Sequence, residues 1–331
     1  MNVIPLEAKW LVPMCELWNR ELGGLFPMRE ALLRQNSFQD ANVYYPGSWL
    51  AQDDDGTLLG FVIAKKWQEL EREMQLGEGA GWIQALVVRS DRRGEGIGSR
   101  LLALAEGALR EAGVELVYMG RDPWHYFPGV PKALSSSRPW FERRGYEFLY
   151  EVYDLLASAE EGPTVAPSFS EGAYIKGLEP GDQAEMLRFF RRCFPGRWCY
   201  EALCYWERGG SGREFIGLFA GREMIGFCRV NDEKSALIAQ NTYWAPLFQE
   251  RLGGIGPLGV DSRYRGKGYG LALVEAGVAE LRARGMKHLV IDWTELVDFY
   301  AKLGFQPWKG YDLMKKSLRR ATQIEADAAF A

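Results

Sequence analysis

The sequence predicts an α+β protein built from two similar domains. Length, an internal repeat and a recurring order of strand and helix patterns all support this prediction. The chain has 331 residues and 47% hydrophobic composition, which is enough to bury two cores of ordinary size. A repeat of this kind changes the fold assignment more than any local propensity does, so both halves are expected to adopt the same α+β fold.

Each half begins its repeated region with a predicted β-hairpin. Residues 49–66 hold two apolar runs around an Asp-Gly turn, and residues 214–230 match them in pattern. A buried strand follows over residues 82–88 in the first half and over residues 255–260 in the second. Both strands lead directly into a glycine-rich segment.

A helix is predicted after each glycine-rich segment. Apolar residues at helical spacing run from Gly98 to Gly113 and again from Gly270 to Gly285. A glycine ends both helices, as is common at helix C-termini. A further strand, a short helix and a final strand then complete each half.

A segment without strand or helix periodicity separates the halves. Residues 157–172 read ASAEEGPTVAPSFSEG, and this composition is typical of a linker. We therefore predict an N-terminal domain over residues 1–156 and a C-terminal domain over residues 173–316. Residues 317–331 are expected to form a tail.

Composition narrows the possible partners. The chain has 40 Lys and Arg against 44 Asp and Glu, a formal net charge of -4, which gives no electrostatic footprint for nucleic acid or an anionic membrane. No apolar stretch has the length of a membrane span, and we expect a cytoplasmic protein that acts on a small molecule. The five cysteines form no C-x-x-C pair and the two histidines, His125 and His288, lie far apart, so no metal site is expected.

The glycine-rich motif reads DRRGEGIG at residues 91–98 and RYRGKGYG at residues 263–270. Alternating glycines between a strand and a helix expose backbone N–H groups at the positive end of the helix dipole, which suits a phosphate or pyrophosphate. Arg93 and Arg265 add charge-assisted contacts. The glycine spacing fits neither a dinucleotide-binding loop nor a Walker loop.

These segments resemble the acyl-CoA signature of the GNAT superfamily of N-acetyltransferases, whose core is R/Q-x-x-G-x-G/A after an apolar strand. The likeness extends over nearly the whole chain as two tandem GNAT units. It implies a mixed, mostly antiparallel sheet flanked by helices in each domain, with acetyl-CoA as donor and no metal. The residues implied to hold the pyrophosphate are Arg93, Gly94, Gly96, Ile97 and Gly98 in the first copy, and Arg265, Gly266, Lys267, Gly268, Tyr269 and Gly270 in the second.

The resemblance also implies a place for the pantetheine arm. The arm would lie like an extra strand along the strand before each loop, bonded to the backbone near Leu86 and Val88 or near Leu258 and Val260. The strands on either side of the arm would splay apart to admit it.

Many GNAT enzymes protonate the departing thiolate with a tyrosine early in the last helix, in a pattern like F-Y-x-x-x-G-F. The second half reads FYAKLGF and places Tyr300 there, whereas the first reads WFERRGY and places Phe141 there. Phenylalanine has no proton to donate. The likeness therefore implies a catalytic second domain with Tyr300 as general acid, and a first domain that binds acetyl-CoA or is architectural. Direct attack by the primary amine of an amino sugar, an amino acid or a thiol-bearing pseudodisaccharide is expected.

The sequence does not single out one residue as the general base. Family members often carry a carboxylate on the strand before the loop, but IGPLGV has none. Asp292 and Glu295, at the end of the next strand, are candidates, and both are also typical of solvated or capping positions.

Two other interpretations remain open. The first half carries an aromatic insert, WHYFPGVPK at residues 124–132, which is either a packed loop or the wall or lid of an acceptor pocket. If it is a lid, the first domain could be the active one, with His125 as an acid or base. Alternatively, the protein is a non-enzymatic acyl-CoA-binding or regulatory module.

Overall fold

The computed structural model describes residues 1–159 and 172–319, which form two compact units. The first unit contains residues 1–23, residues 29–150 and, within the described ranges, residues 311–319. The second unit contains residues 24–28 and, within the described ranges, residues from 151 to 310. The predicted linker and tail lie largely outside the described residues.

From the predicted hairpin onward, the strands and helices follow the predicted order in both halves, apart from one additional two-residue strand in the first half. The first half contains β1 (Asn2–Pro5), α1 (Leu11–Leu22), α2 (Glu30–Leu33), β2 (Trp49–Gln52), β3 (Leu58–Lys66), β4 (Ala80–Val88), α3 (Ile97–Glu111), β5 (Leu116–Met119), β6 (Val130–Pro131), α4 (Ser137–Glu142) and β7 (Glu147–Ser158). The second half contains β8 (Ala173–Gly177), α5 (Gln183–Cys193), α6 (Arg197–Glu207), β9 (Phe215–Ala220), β10 (Glu223–Asn231), β11 (Leu252–Val260), α7 (Tyr269–Ala283), β12 (His288–Thr294), α8 (Val297–Ala301) and β13 (Gln306–Ser317).

The sheet of the first unit has the order β1-β2-β3-β4-β5. Its pairs are antiparallel except for β4 and β5, which run parallel because α3 connects them. Leu101, Ala105 and Leu109 of α3 are fully buried in one core with Val62 and Ile83 of the sheet. The apolar stripe of α3 therefore holds the helix on one face of the sheet.

The sheet of the second unit has the matching order β8-β9-β10-β11-β12. Again one pair, β11 and β12, is parallel, and the others are antiparallel. Leu273, Val278 and Leu281 of α7 share a core with Val230 and Ile255. The two units therefore repeat the same α+β plan, as predicted.

The last strand of each sheet comes from the other half of the chain. Residues 155–158 of β7 pair with β12 in the second unit, and residues 315–317 of β13 pair with β5 in the first. The predicted continuous domains, 1–156 and 173–316, thus differ from the compact units at both of these strands. Strand pairing over such sequence distances leaves no local pattern. The predicted domain boundaries therefore depended on composition alone.

Both long helices end as predicted. Gly113 and Gly285 follow α3 and α7 with φ of 81° each, a conformation that favours glycine. The N–H of Gly113 donates to the carbonyl of Arg110 at 3.0 Å, and that of Gly285 donates to Arg282 at 2.9 Å. These bonds satisfy carbonyls that the helix ends would leave without a partner.

In the described ranges, no helix combines the length and apolar character that a membrane crossing requires. The same residues contain no group of three His, Cys, Asp or Glu side chains arranged to hold a metal ion. Four of the five free cysteines are buried, in agreement with a packing role, and Cys193 is half-buried.

Candidate active site

The two glycine-rich loops have nearly the same backbone conformation. Gly94 and Gly96 have φ of 87° and 84°, and Gly266 and Gly268 have φ of 78° and 79°. A side chain at any of these four positions would meet no atom within 4 Å, so the positive φ and not crowding accounts for the glycine. Helices α3 and α7 begin at Ile97 and Tyr269, directly after the loops, with Gly98 and Gly270 in their first turns. Both loops therefore present helix N-termini to open space.

The arginine of each loop is anchored in the same way. Arg93 Nε donates to the carbonyl of Val88 at 3.2 Å, and Arg265 Nε donates to that of Val260 at 3.1 Å. The anchor folds each arginine back toward the strand before its loop. The remaining guanidinium nitrogens then lie beside the candidate anion site.

A carboxylate distinguishes the first loop from the second. Glu21 of α1, whose side chain is 3% exposed, pairs with Arg93 at 2.9 Å. Among the described residues, Arg265 forms no ion pair. The first arginine is therefore partly neutralised where an anion would bind, and the second is not. The sequence analysis missed Glu21, which lies far from the loop along the chain.

The strands before the loops have a free edge, as the resemblance implied. Parallel pairing of β4 with β5 stops at Ile83 and Met119, and pairing of β11 with β12 stops at Ile255 and Ile291. Beyond these points each strand is paired only on its other side, with β3 or β10. The free edges include the four predicted pantetheine positions: Leu86, Val88, Leu258 and Val260.

The opening in the first unit contains a cavity of about 510 Å³. It extends from the glycine loop along the free edge of β4 to the apolar side chains of Trp18 and Phe127. Arg144 also lines it, stacked on Trp140 at 3.5 Å from the ring centre and donating to Ser99 Oγ at 2.5 Å. Burial lowers the pKa of Arg144. No motif in the sequence marks Arg144, which lies in the turn after the short helix α4.

The insert of the first unit starts where β5 diverges from β4. The chain leaves the sheet at Gly120 and returns at Val130, where β6 pairs with the same strand, β13, that pairs with β5. A Cβ at Gly120 would lie 2.1 Å from the carbonyl oxygen of Phe127. That carbonyl also accepts a hydrogen bond from the N–H of Arg121 at 3.0 Å. The backbone of the insert thus fills the space that a side chain at position 120 would need.

The insert is packed by its own side chains and also forms part of the cavity wall. Trp124, Tyr126 and Phe127 are 1%, 2% and 8% exposed, and Phe127 stacks on Trp18 with ring centres 5.6 Å apart. His125 is 2% exposed, and its Nδ1 lies 2.9 Å from the carbonyl oxygen of Asp122. Phe127 belongs to the cavity wall but His125 does not. This position gives His125 no access to a substrate in the cavity.

In the second unit, a two-residue bulge takes the place of the insert. The pairing of β12 with β7 shifts between Ile291 and Thr294, so Asp292 and Trp293 together oppose Asp154. Trp293 has φ of 45°, and its N–H donates to Asp154 Oδ1 at 3.1 Å. Bulges and positive-φ residues of this kind often lie beside active sites, where they redirect a side chain.

Asp292 is the counterpart of Gly120, since the same number of positions separates each from the start of its paired strand. Asn241 Nδ2 donates to Asp292 Oδ1 at 2.9 Å. Burial raises the pKa of Asp292 to about 6, and the charge of Glu201 acts in the same direction while that of Arg197 opposes it. The second opening therefore holds a carboxylate that titrates near neutral pH.

The predicted acid positions are occupied by matching residues of the last short helices. Tyr300 of α8 is 7% exposed, and Phe141 of α4 is also 7% exposed. Burial, and then the charges of Cys228 and Asp292, raise the pKa of Tyr300. Among the described residues, no group forms a hydrogen bond with the Tyr300 hydroxyl. Glu295, the other candidate base, is exposed.

A fold with a glycine loop at a helix N-terminus and an open strand pair beside it defines a class of acyl-CoA-dependent transferases. The model of the Acetyltransferase (GNAT) family matches residues 11–126 and 184–305. The chain therefore belongs to this family, as the resemblance implied, and is an N-acetyltransferase with two tandem GNAT units. Members of the family use acetyl-CoA as cosubstrate.

Two curated proteins are similar to the chain over two thirds of its length or more. The chain is 27% identical over 304 residues to a mycothiol acetyltransferase of Actinosynnema mirum, covering 87% of this chain and 89% of the relative. It is 28% identical over 245 residues to a mycothiol acetyltransferase of Thermobispora bispora, covering 67% and 72%.

Solved structures with the same fold include a GCN5-related glucosamine N-acetyltransferase region of a fungal multi-domain β-N-acetylglucosaminidase. The TM-score is 0.84 at 23% identity, over 95% of this chain and 38% of that longer chain. A GCN5-related N-acetyltransferase from Sphaerobacter thermophilus matches with a TM-score of 0.70 at 17% identity, over 97% and 96%. These matches support the tandem GNAT fold.

Proposed function

We propose that the protein transfers the acetyl group of acetyl-CoA to a primary amine of a small molecule, and that this chemistry takes place in the second unit. The observation that carries the proposal is the pair of matching positions Tyr300 and Phe141. Only the second unit has a proton donor where the departing thiolate of CoA would lie.

Acetyl-CoA would occupy the opening in the following way. Its pyrophosphate binds to the N–H groups of the loop from Gly266 to Gly270, with Arg265 and Lys267 supplying positive charge. Its pantetheine arm bonds to the free edge of β11 at Leu258 and Val260. The thioester then lies where β11 and β12 separate.

Tyr300 acts at the last step. Its raised pKa keeps the phenol protonated at neutral pH, so a proton is available for the sulfur as the C–S bond breaks. Cys228 is fully buried in the core and has a raised pKa, so it does not compete as a nucleophile. Attack by the amine is therefore direct, without an acyl-enzyme intermediate.

The first unit is assigned a binding or architectural role. Its cavity suits an acyl-CoA, and the predicted loop residues Arg93, Gly94 and Gly96 border it. The insert fills the space beside Gly120, and the acid position is Phe141. Acetyl-CoA bound there would have no tyrosine at the acid position.

The acceptor is proposed to be an amine carried by a sugar derivative. Two curated relatives are named mycothiol acetyltransferase, and a structural neighbour is named for glucosamine N-acetylation. These names fit the sequence-based expectation of an amino sugar or a thiol-bearing pseudodisaccharide.

A matched pair of loop variants tests which unit transfers the acetyl group. Gly268→Glu and Gly96→Glu place the same negative charge at equivalent positive-φ positions. With glucosamine and S-methylcysteine as amines, thiol release should fall at least a hundredfold in the Gly268 variant and stay near the wild-type rate in the Gly96 variant.

The opposite result would make the first unit the active one and refute the assignment. If the wild-type protein binds acetyl-CoA but releases no thiol with any amine of a broad panel, a non-enzymatic acyl-CoA-binding protein is the better description. Calorimetry with acetyl-CoA on the same samples separates loss of binding from loss of transfer.

A further inference from the structure

We propose that Asp292 is the catalytic base of the second unit, where its carboxylate takes a proton from the ammonium group of the acceptor. This inference rests on the proposed function, since it concerns the same acetyl transfer at the same site. It supplies the proton acceptor that the strand before the loop, β11, does not contain.

The position of Asp292 in the sheet supports this role. Pairing of β12 with β11 ends at Ile291, so Asp292 is the first residue of β12 beyond the paired region, beside the free edge of β11. The bulge with Trp293 sets its direction, and the hydrogen bond from the Trp293 N–H to Asp154 holds that bulge in place. A carboxylate at this point lies next to the expected thioester.

The contacts of Asp292 leave one oxygen for a substrate. Asn241 donates to Oδ1, while no donor within residues 1–159 and 172–319 reaches Oδ2. Asp292 is half-buried, so part of it remains in contact with solvent. One oxygen is thus fixed in orientation and the other is accessible to a ligand.

Asn241 itself depends on a glycine of β11. A Cβ at Gly254 would lie 1.9 Å from Asn241 Oδ1, so any larger residue at 254 would displace the amide that holds Asp292. Asn241 also donates to the carbonyl of Gly256 at 3.2 Å, and Asn231 donates to Asn241 Oδ1 at 3.2 Å. The absence of a side chain at Gly254 thus leaves room for an amide that orients a carboxylate on β12.

The charged groups around Asp292 come from two helices. Arg197 and Glu201 of α6 form an ion pair at 2.6 Å. The charge of Asp292 also raises the pKa of Tyr300 on α8. Burial is the largest cause that raises the pKa of Asp292, to about 6. The carboxyl is therefore ionised at neutral pH but basic enough to accept a proton.

The proton balance of the reaction is complete with these two residues. Asp292 takes one proton from R–NH₃⁺, and the neutral nitrogen then attacks the thioester carbon. The C–N bond forms, the C–S bond breaks, and the sulfur takes the Tyr300 proton. The amide nitrogen returns its extra proton to the tyrosinate, and Asp292 releases its proton to solvent. The net products are the amide, CoA thiol and one proton.

Asp292→Asn in the full-length protein tests the inference. With glucosamine and S-methylcysteine at saturating acetyl-CoA, kcat/KM at pH 7.5 should fall about a hundredfold or more. The lower limb of the wild-type pH profile, expected near pH 6, should disappear. Below the pKa of the acceptor amine, the rate of the variant should instead rise about tenfold per pH unit, because the free amine in solution replaces the base.

Two further variants serve as controls. Glu295→Gln, which removes an exposed carboxylate on the same segment, should keep the wild-type profile. Asp292→Glu should recover part of the activity with a shifted lower limb. Calorimetry should show unchanged acetyl-CoA binding in all three variants.

Wild-type activity and an intact lower limb in Asp292→Asn would overturn the inference while leaving the proposed function in place. An equal loss at every pH, without recovery at high pH, would also overturn it, because that result indicates a structural role. A wild-type protein that acetylates no amine refutes the proposed function itself and, with it, the reaction in which Asp292 would act.

Discussion

In the first unit the chain turns away from the sheet at Gly120 into an aromatic insert, whereas in the second it continues through the bulge at Asp292 and Trp293. The glycine loops that precede these strands have φ angles within 10° of each other. The two units thus keep the same candidate phosphate site and differ at the far end of the same opening. Under the proposed function, cofactor binding depends on the end of the strand pair that the units share, and the chemistry depends on the end at which they differ.

The largest expected effect is on the acid position. Tyr300→Phe removes the only proposed proton donor and should lower kcat by about a hundredfold or more, with little change in KM for acetyl-CoA. Phe141→Tyr, at the matching position of the first unit, should leave kcat unchanged. Steady-state thiol release measures both. A fully active Tyr300→Phe variant would remove the functional distinction between the units.

A second variant tests whether the insert excludes a side chain at position 120 of the first unit. Gly120→Asp copies Asp292 into a position with φ of 65°, where a Cβ would meet the Phe127 carbonyl oxygen. We expect a loss of about 2–4 kcal/mol in the free energy of unfolding, measured with denaturant.

Gly94→Asp is the matched control, because its φ is also positive but its surroundings are open. It should cost only about 1 kcal/mol. Equal losses in the two variants would mean that backbone strain, and not the insert, excludes a side chain at position 120.

A third variant measures how much the half-buried Asp292 carboxylate lowers the free energy of unfolding. The pKa of Asp292 rises from 3.8 to about 6 on folding, so the fold disfavours the ionised form and the cost is fully present above pH 6. Asp292→Asn should therefore raise the free energy of unfolding by about 1–3 kcal/mol at pH 8. The gain should vanish as the pH falls to about 4. A gain of the same size at both pH values would contradict this account.

The smallest expected effect concerns the Glu21 carboxylate beside Arg93. Glu21→Gln frees the arginine and removes a negative charge from the cavity wall, so the first unit should bind acetyl-CoA a few-fold more tightly. Calorimetry in the Gly268→Glu background isolates the first site. Unchanged or weaker affinity would show that the ion pair does not oppose ligand binding.

Much of this comparison could be predicted from the sequence. The repeat gave the element order, and the glycine positions matched the positive-φ turns because only glycine adopts them without strain. The correspondence between Tyr300 and Phe141 followed from a motif that each half carries on its last short helix. Asp292 was also a candidate base from the sequence. Aligning the ends of the repeated strands, which matches Asp292 with Gly120, would have strengthened that prediction.

The rest depends on contacts between distant parts of the chain. Glu21 reaches Arg93, and Asn241 fills the space above Gly254, through packing that no local pattern encodes. The pKa of Asp292 comes from burial, which periodicity does not predict for a residue at a bulge. The exchanged final strands were missed for the same reason, since each pairs with a sheet built mainly from the other half.

The exchanged strands also affect how the protein is made. The first unit needs residues 315–317 of β13 to pair with β5, and these residues are translated after all of the second unit. During synthesis the edge of β5 therefore stays unpaired until the second unit has been translated, while the second unit can take up its β7 strand as soon as its own strands emerge. The half of the chain that is translated first is thus the half whose fold is completed last.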